Sequence, residues 1–283
     1  MRKSDKWVVL TLFLNLVFLF SCNEEEEFVD YNEEFIGAPF ITTWETTDSA
    51  ENITIYTNPR IYTYDYTVDW GDGSINESVT KSITHTYAEA GIHEVKITGD
   101  FPAIFSLNTP NADKIISVES WGDMKWESMK YAFAFCTNLI SFPDSKPNLK
   151  YLTDMSYMFY GATYFTQDIG DWNVSNVTNM SYMFYDATYF TQDIGDWNVS
   201  NVTNMSHMFY GAIYFNQDIS DWDVSNVTDM SHMFQNTIAY NQNLSDWSTD
   251  KVTNCTDFSL SSYMDSTHLP NVGECFHSSN KDE

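Results

Sequence analysis

Met155-Ser156-Tyr157-Met158-Phe159-Tyr160-Gly161-Ala162-Thr163-Tyr164-Phe165 returns 25 residues later as Met180-Ser181-Tyr182-Met183-Phe184-Tyr185-Asp186-Ala187-Thr188-Tyr189-Phe190. Residues 155–179 and 180–204 differ at one position only, Gly161 against Asp186. Met155, Met180, Met205 and Met230 keep the step, as do Trp172, Trp197, Trp222 and Trp247. Cys255 fills the next methionine slot, and Trp121, Met129 and Phe133 carry the phase backwards. The array therefore runs over residues 112–260, with a cap or tail over 261–283.

One unit cannot bury its own apolar side, whereas stacked neighbours make a continuous core. Met155, Met158, Phe159 and Ala162 fall at i, i+3, i+4 and i+7, the stripe of a short helix. Thr153 or Asp154 is its candidate cap. Phe165 to Trp172 reads as a short strand with its turn. The expected architecture is an α/β, leucine-rich-repeat-like solenoid.

Residues 39–100 change period. Tyr62, Tyr64, Tyr66, Val68 and Trp70 alternate with polar residues, as do Ile53 and Ile55, and Val95 and Ile97. Such spacing marks half-buried strands, and Asp72-Gly73 marks a tight turn. Several short strands predict an all-β Ig-like sandwich ahead of the solenoid.

Two resemblances follow from these residues. Val68-Asp69-Trp70-Gly71-Asp72-Gly73-Ser74, then His85-Thr86-Tyr87, Gly91, Val95 and Ile97, resembles the signature of PKD domains, with His93 at a position often aromatic. That resemblance implies an Ig-like spacer or interaction module on extracellular proteins. Trp172-Asn173-Val174-Ser175-Asn176-Val177-Thr178-Asn179-Met180-Ser181-Tyr182-Met183-Phe184 is similar to the BspA-like leucine-rich-repeat surface proteins. It implies surface display and contact with proteins or matrix.

The N-terminus sets an expected compartment. Arg2, Lys3 and Lys6 precede an apolar run, Trp7 to Phe20, shorter than the roughly 20 residues a membrane span needs. Residues 1–21 read as a secretory signal peptide. Leu19-Phe20-Ser21-Cys22 resembles a bacterial lipobox, which implies an acylated Cys22 and attachment to the membrane through its lipid. Residues 22–38 form an acidic tether, and Glu24 to Glu27 resemble the export signal of surface-exposed outer-membrane lipoproteins. Lys+Arg 13 against Asp+Glu 40 gives a net charge of −27, a field that excludes nucleic acid as a partner.

No catalytic constellation stands in the chain, and no Lys, Arg or Glu lies between Tyr151 and Asp250 to stabilise a developing anion. No enzyme activity is expected. Asp168, Asp193 and Asp218 form one column and Asp171, Asp196 and Asp221 another. They read either as ligands of a structural calcium or as solvated residues that bond turn amides; otherwise no cofactor is expected. His207 and His232 share a column with Tyr157 and Tyr182, which reads as a tolerant surface slot or a transition-metal pair. Cys255 and Cys275 are placed to close a C-terminal loop in an oxidising compartment. Tyr160, Tyr185 and Tyr210, with Tyr164, Tyr189 and Tyr214, form columns that suit ligand contact or a packing ladder.

The expected function is adhesion or protein–protein interaction by a lipid-anchored protein of the bacterial outer membrane. Its partner would be a host, matrix or neighbouring-cell protein. The alternative is a carbohydrate-binding accessory that captures a polysaccharide glycan.

Overall fold

The computed structural model describes residues 37–106, 111–271, 273 and 275–276. The signal peptide, Cys22 and all but the end of the acidic tether lie outside the described residues. The chain divides into Met1–Glu34 and Phe35–Glu283, and every described residue belongs to the second unit.

Period-two patterning becomes antiparallel sheet. The strands are β1 (Phe40–Thr46), β2 (Glu51–Ile55), β3 (Asp65–Asp69), β4 (Ile75–Val79), β5 (Ile83–Tyr87), β6 (Gly91–Asp100) and β7 (Ile115–Trp121). Five of them pair in the order β4-β3-β6-β1-β7, and β2 pairs with β5 in a second sheet. Tyr64, Tyr66, Val68 and Trp70 point inward from one sheet, and Ile53, Ile55 and Tyr87 from the other, into a shared core. The Tyr87 hydroxyl crosses between the layers and donates to the Trp70 carbonyl at 2.8 Å. Gly71, at φ 77°, is required between β3 and β4, because a Cβ there would lie 2.5 Å from the Glu94 carbonyl oxygen.

The expected α/β solenoid is overturned: residues 127–260 hold no α-helix. The backbone explains why. Met158, Tyr160 and Ala162 donate locally to Met155, Tyr157 and Phe159, each three residues back. Met155, Tyr157, Phe159 and Gly161 donate instead to Asn179, Ser181, Met183 and Tyr185 of the next coil. Left-handed backbone at Tyr157 (φ 60°) and Gly161 (φ 66°) breaks what would be a helix and turns every second N–H outward. The same i, i+3, i+4, i+7 residues are still buried, because consecutive tight turns present them to the core as a helix would.

Phe165 to Trp172 is likewise not a strand. Asp168 and Asn173 accept the amides of Gly170 and Ser175, which bends the backbone and uses donors a ladder would need. Coils are joined by single-residue parallel bridges, Asp154–Asn179–Asn204–Asp229–Asn254.

Inside the stack, like residues lie on like. Phe133, Phe159, Phe184, Phe209 and Phe234 form a column with centroids 5.5–5.9 Å apart. Trp197, Trp222 and Trp247 form another, and each indole N–H donates to a carbonyl of the preceding coil, Ile169, Ile194 and Ile219. Burying one such ring is worth about 2–3 kcal/mol of transfer free energy, repeated in every coil.

Both ends are covered. β7 hands its outer edge to the first coil through Val118 N–H to Ser141 O (2.9 Å) and Ile140 N–H to Ile116 O (2.9 Å), so core and sheet edge run unbroken into the array. At the far end Cys255 is disulfide-bonded to Cys275, and the buried Phe276 ring meets Phe258 at 5.0 Å.

Candidate functional site

The outward turns that break the helix also build a surface. Tyr157, Tyr182, His207 and His232 occupy the left-handed position of successive coils, at φ 57–60°. The bonds between coils then bring their rings into register. Tyr131, Tyr157, Tyr182, His207 and His232 lie ring on ring at 4.5, 4.5, 4.2 and 4.4 Å. Beside them Tyr160, Tyr185 and Tyr210 stack at 4.6 and 4.5 Å with planes 14° and 2° from parallel. The two ladders touch, Tyr157 to Tyr160 at 5.7 Å, Tyr182 to Tyr185 at 5.8 Å and His207 to Tyr210 at 6.0 Å. A third ladder, Tyr164, Tyr189 and Tyr214, is 58%, 45% and 52% exposed.

Sequence reasoning found the second and third ladders and missed the first as a ladder. Its signal was an aromatic ring in one slot at 131, 157, 182, 207 and 232. The histidines continue the tyrosine stack, and His232 Nδ1 meets Gln235 Oε1 at 2.6 Å.

The face is neutral in the middle. Burial, the largest cause, pushes Tyr157 and Tyr185 up to about 12, so their hydroxyls remain protonated donors. Burial, followed by the charge of His232, pulls His207 down to about 4, and its buried Nδ1 has no hydrogen-bond partner among the described residues. Asp186 adds an exposed carboxylate beside this face, at φ 54° where neighbouring coils have Gly161 and Gly211.

The other sequence-derived sites separate. Asp168, Asp193 and Asp218 each accept the amide two residues on, at 2.9, 2.9 and 3.0 Å. Asp171, Asp196 and Asp221 are exposed, and Asp171 pairs with Lys146. Among the described residues no group of three or more His, Cys, Asp or Glu is placed to hold a metal ion. The aspartate columns are turn-forming and solvated residues in this geometry. Cys136 is a free, buried thiol whose pKa burial raises.

A family model described as "Mycoplasma protein of unknown function, DUF285" matches residues 103–213, 127–247 and 190–263. No curated protein and no solved structure matches the chain.

Proposed function

The chain belongs to the DUF285 family, whose overlapping matches run from residue 103 to residue 263, and from that premise we propose that it is a surface-displayed, lipid-anchored bacterial protein whose aromatic face binds a protein partner. The observation that carries this reading is the pair of adjoining ladders across successive coils. Tyrosine supplies large, rigid contact area with a polar tip and little entropy to lose, which is why it is enriched at protein interfaces. Repeat coils about 4.8 Å apart extend that contact over roughly 20 Å.

Protein is favoured over glycan by ring orientation. Within each ladder the faces are turned to one another, as in Tyr185 on Tyr210, 2° from parallel. A sugar that stacks on an aromatic ring needs an open face, whereas a protein can use the edges and hydroxyls presented here. Display at the outer membrane rests on the signal-peptide and lipobox resemblance. Among the described residues no helix is long and apolar enough to cross a membrane.

Replacement of Tyr160, Tyr185 and Tyr210 together by Ser tests the reading. Binding to a panel of matrix and cell-surface proteins should be lost while the circular dichroism spectrum is kept. A matching triple Phe variant separates ring from hydroxyl. Retained protein binding overturns the proposal, and binding confined to a glycan array transfers it to the carbohydrate alternative. Cys22→Ala should release the protein from the detergent phase; unchanged partitioning removes the lipid anchor.

A further inference from the structure

The repeat breaks where the tryptophan column begins. Phe142-Pro143-Asp144-Ser145-Lys146-Pro147 stands 25 residues before Gln167-Asp168-Ile169-Gly170-Asp171-Trp172. Pro147 therefore holds a tryptophan slot, and Asp144 holds the slot of the buried Ile169. An ionised carboxylate does not enter an apolar core, and Asp144 is exposed. Trp172 loses its acceptor as a result. Trp197, Trp222 and Trp247 each donate to a carbonyl 28 residues back, at Ile169, Ile194 and Ile219. The same step from Trp172 leads to Asp144, and no such bond forms: the indole N–H has no hydrogen-bond partner among the described residues. Yet Trp172 is only 6% exposed. A cleft of about 290 Å³ opens at this break, with Asp144, Lys146, Gln167, Asp168 and Trp172 in its walls. The Gln167 amide is likewise without a bond to any described residue.

A buried indole N–H ordinarily finds an acceptor, and one left without it costs stability. We infer that this cleft binds a single neutral sugar unit, whose hydroxyls accept from the Trp172 indole and donate to the carboxylates of the walls. Trp172 and Gln167 offer donors. Asp144 and Asp168 offer acceptor oxygens, Asp168 with only Oδ1 engaged, by the Gly170 amide. A hydroxyl both donates and accepts, so neighbouring hydroxyls on one ring serve both sets. An anion would face Asp144, Asp168 and Asp171 against one cation, Lys146, which is already paired with Asp171. A metal ion would leave both donors unserved, and among the described residues no group of three or more His, Cys, Asp or Glu is placed to hold one. The volume lies near the low end of the roughly 300–1,000 Å³ of small-molecule sites, room for one ring rather than an oligosaccharide. No ladder tyrosine lines the cleft, so the site is independent of the aromatic face.

The probes are the common neutral hexoses, deoxyhexoses and pentoses, each as the reducing sugar and as its methyl glycosides, with sulfate and free arginine as charged comparisons. They are titrated into the full chain and followed by the indole N–H resonance that Trp172→Phe removes. At least one sugar should shift that resonance saturably. Gln167→Leu and Asp144→Ala should each weaken its binding about tenfold, the value of one hydrogen bond to the ligand, with melting temperatures near native. Trp197→Phe removes an indole N–H that is already bonded to Ile169, so it should lower the melting temperature and leave sugar affinity within about twofold. Binding of a methyl glycoside identifies the end of a glycan chain as the ligand, and binding of the reducing sugar alone identifies a free sugar. A resonance that no sugar shifts, one that sulfate or arginine shifts as strongly, or undiminished binding by the Gln167 and Asp144 variants overturns the inference and leaves the reading of the aromatic face standing. The triple Tyr→Ser variant should bind the sugar as the native chain does. Sugar binding lost there and kept in Gln167→Leu also overturns the inference, by moving the sugar to the ladders.

Discussion

Tyr182 and His207 lie ring on ring, centroids 4.2 Å apart and planes 9° from parallel. A histidine thus extends a tyrosine ladder without a break, and it does so as a neutral ring. His207 is pulled down from 6.5 to about 4 by burial first and by His232 second. Between those values the unfolded chain takes up the proton and the folded chain does not. Its contribution is therefore complete above pH 6.5, is lost as pH falls toward 4, and changes no further below that.

Urea melts between about pH 7 and 4.5 check this. Stability should fall by about 1 kcal/mol on account of His207, after allowance for solvent screening. His207→Tyr should remove that part of the slope. His93, lowered by burial, supplies some of the remainder. Carboxylates held low, such as Asp218 and Asp223 bonded by Ser220 and Ser225, lose their contribution only at still lower pH. An unchanged slope in His207→Tyr would show that the ring is solvated.

Phe184 and Tyr185 are sequence neighbours with opposite roles. Phe184 is fully buried between Phe159 and Phe209 at 5.6 Å each, and Phe184→Ala should cost about 3–5 kcal/mol. Tyr185 is half-buried but stacked on both sides, so Tyr185→Ala should cost about 1–2 kcal/mol. Chemical denaturation of the two variants gives the comparison, and equal losses would refute the assignment of faces.

Tyr240 stands where earlier coils have Phe165, Phe190 and Phe215, and stacks on Phe215 at 5.7 Å. Its hydroxyl is buried with no hydrogen-bond partner among the described residues. Tyr240→Phe should therefore raise stability by about 1–2 kcal/mol, the cost of desolvating an unpaired hydroxyl. A lower melting temperature for the variant would reveal a partner to the hydroxyl in solution.

Deletion of residues 180–204 joins Asn179 to Met205, the same residue pair found at Asn204–Met205. The bridge that now runs Asp154–Asn179–Asn204 should re-form one coil short. Since each coil contacts only its neighbours, the protein should fold with a lower melting temperature and an unchanged near-ultraviolet spectrum shape. Loss of the cooperative transition would show that the coils do not stack independently.

The step of 25 and the identity of the buried side chains were legible in the residues alone, because burial depends on which positions are apolar and recur. Met155, Met158, Phe159, Ala162, Phe165, Ile169 and Trp172 are all buried. The turn at Asp72-Gly73 and the pairing of Cys255 with Cys275 were legible for similar reasons of local chemistry and spacing. The face proposed to bind a partner was only half legible. Tyr160, Tyr185 and Tyr210 recur identically, whereas His207 and His232 disguise the ladder beside them until their rings are seen stacked on Tyr182 and on each other.

What only the tertiary structure decided is the backbone between those buried positions. An apolar pattern at i, i+3, i+4 and i+7 is satisfied equally by one helical turn after another and by tight turns that alternate hand. A helix would keep every amide bond within its own coil. Here Tyr157, Phe159 and Gly161 send theirs to the next coil, and that exchange is possible only when a neighbour of the same sequence lies in register. The left-handed strain at Tyr157 is offset by bonds to residues a full repeat away, and no local reading of the chain contains that term.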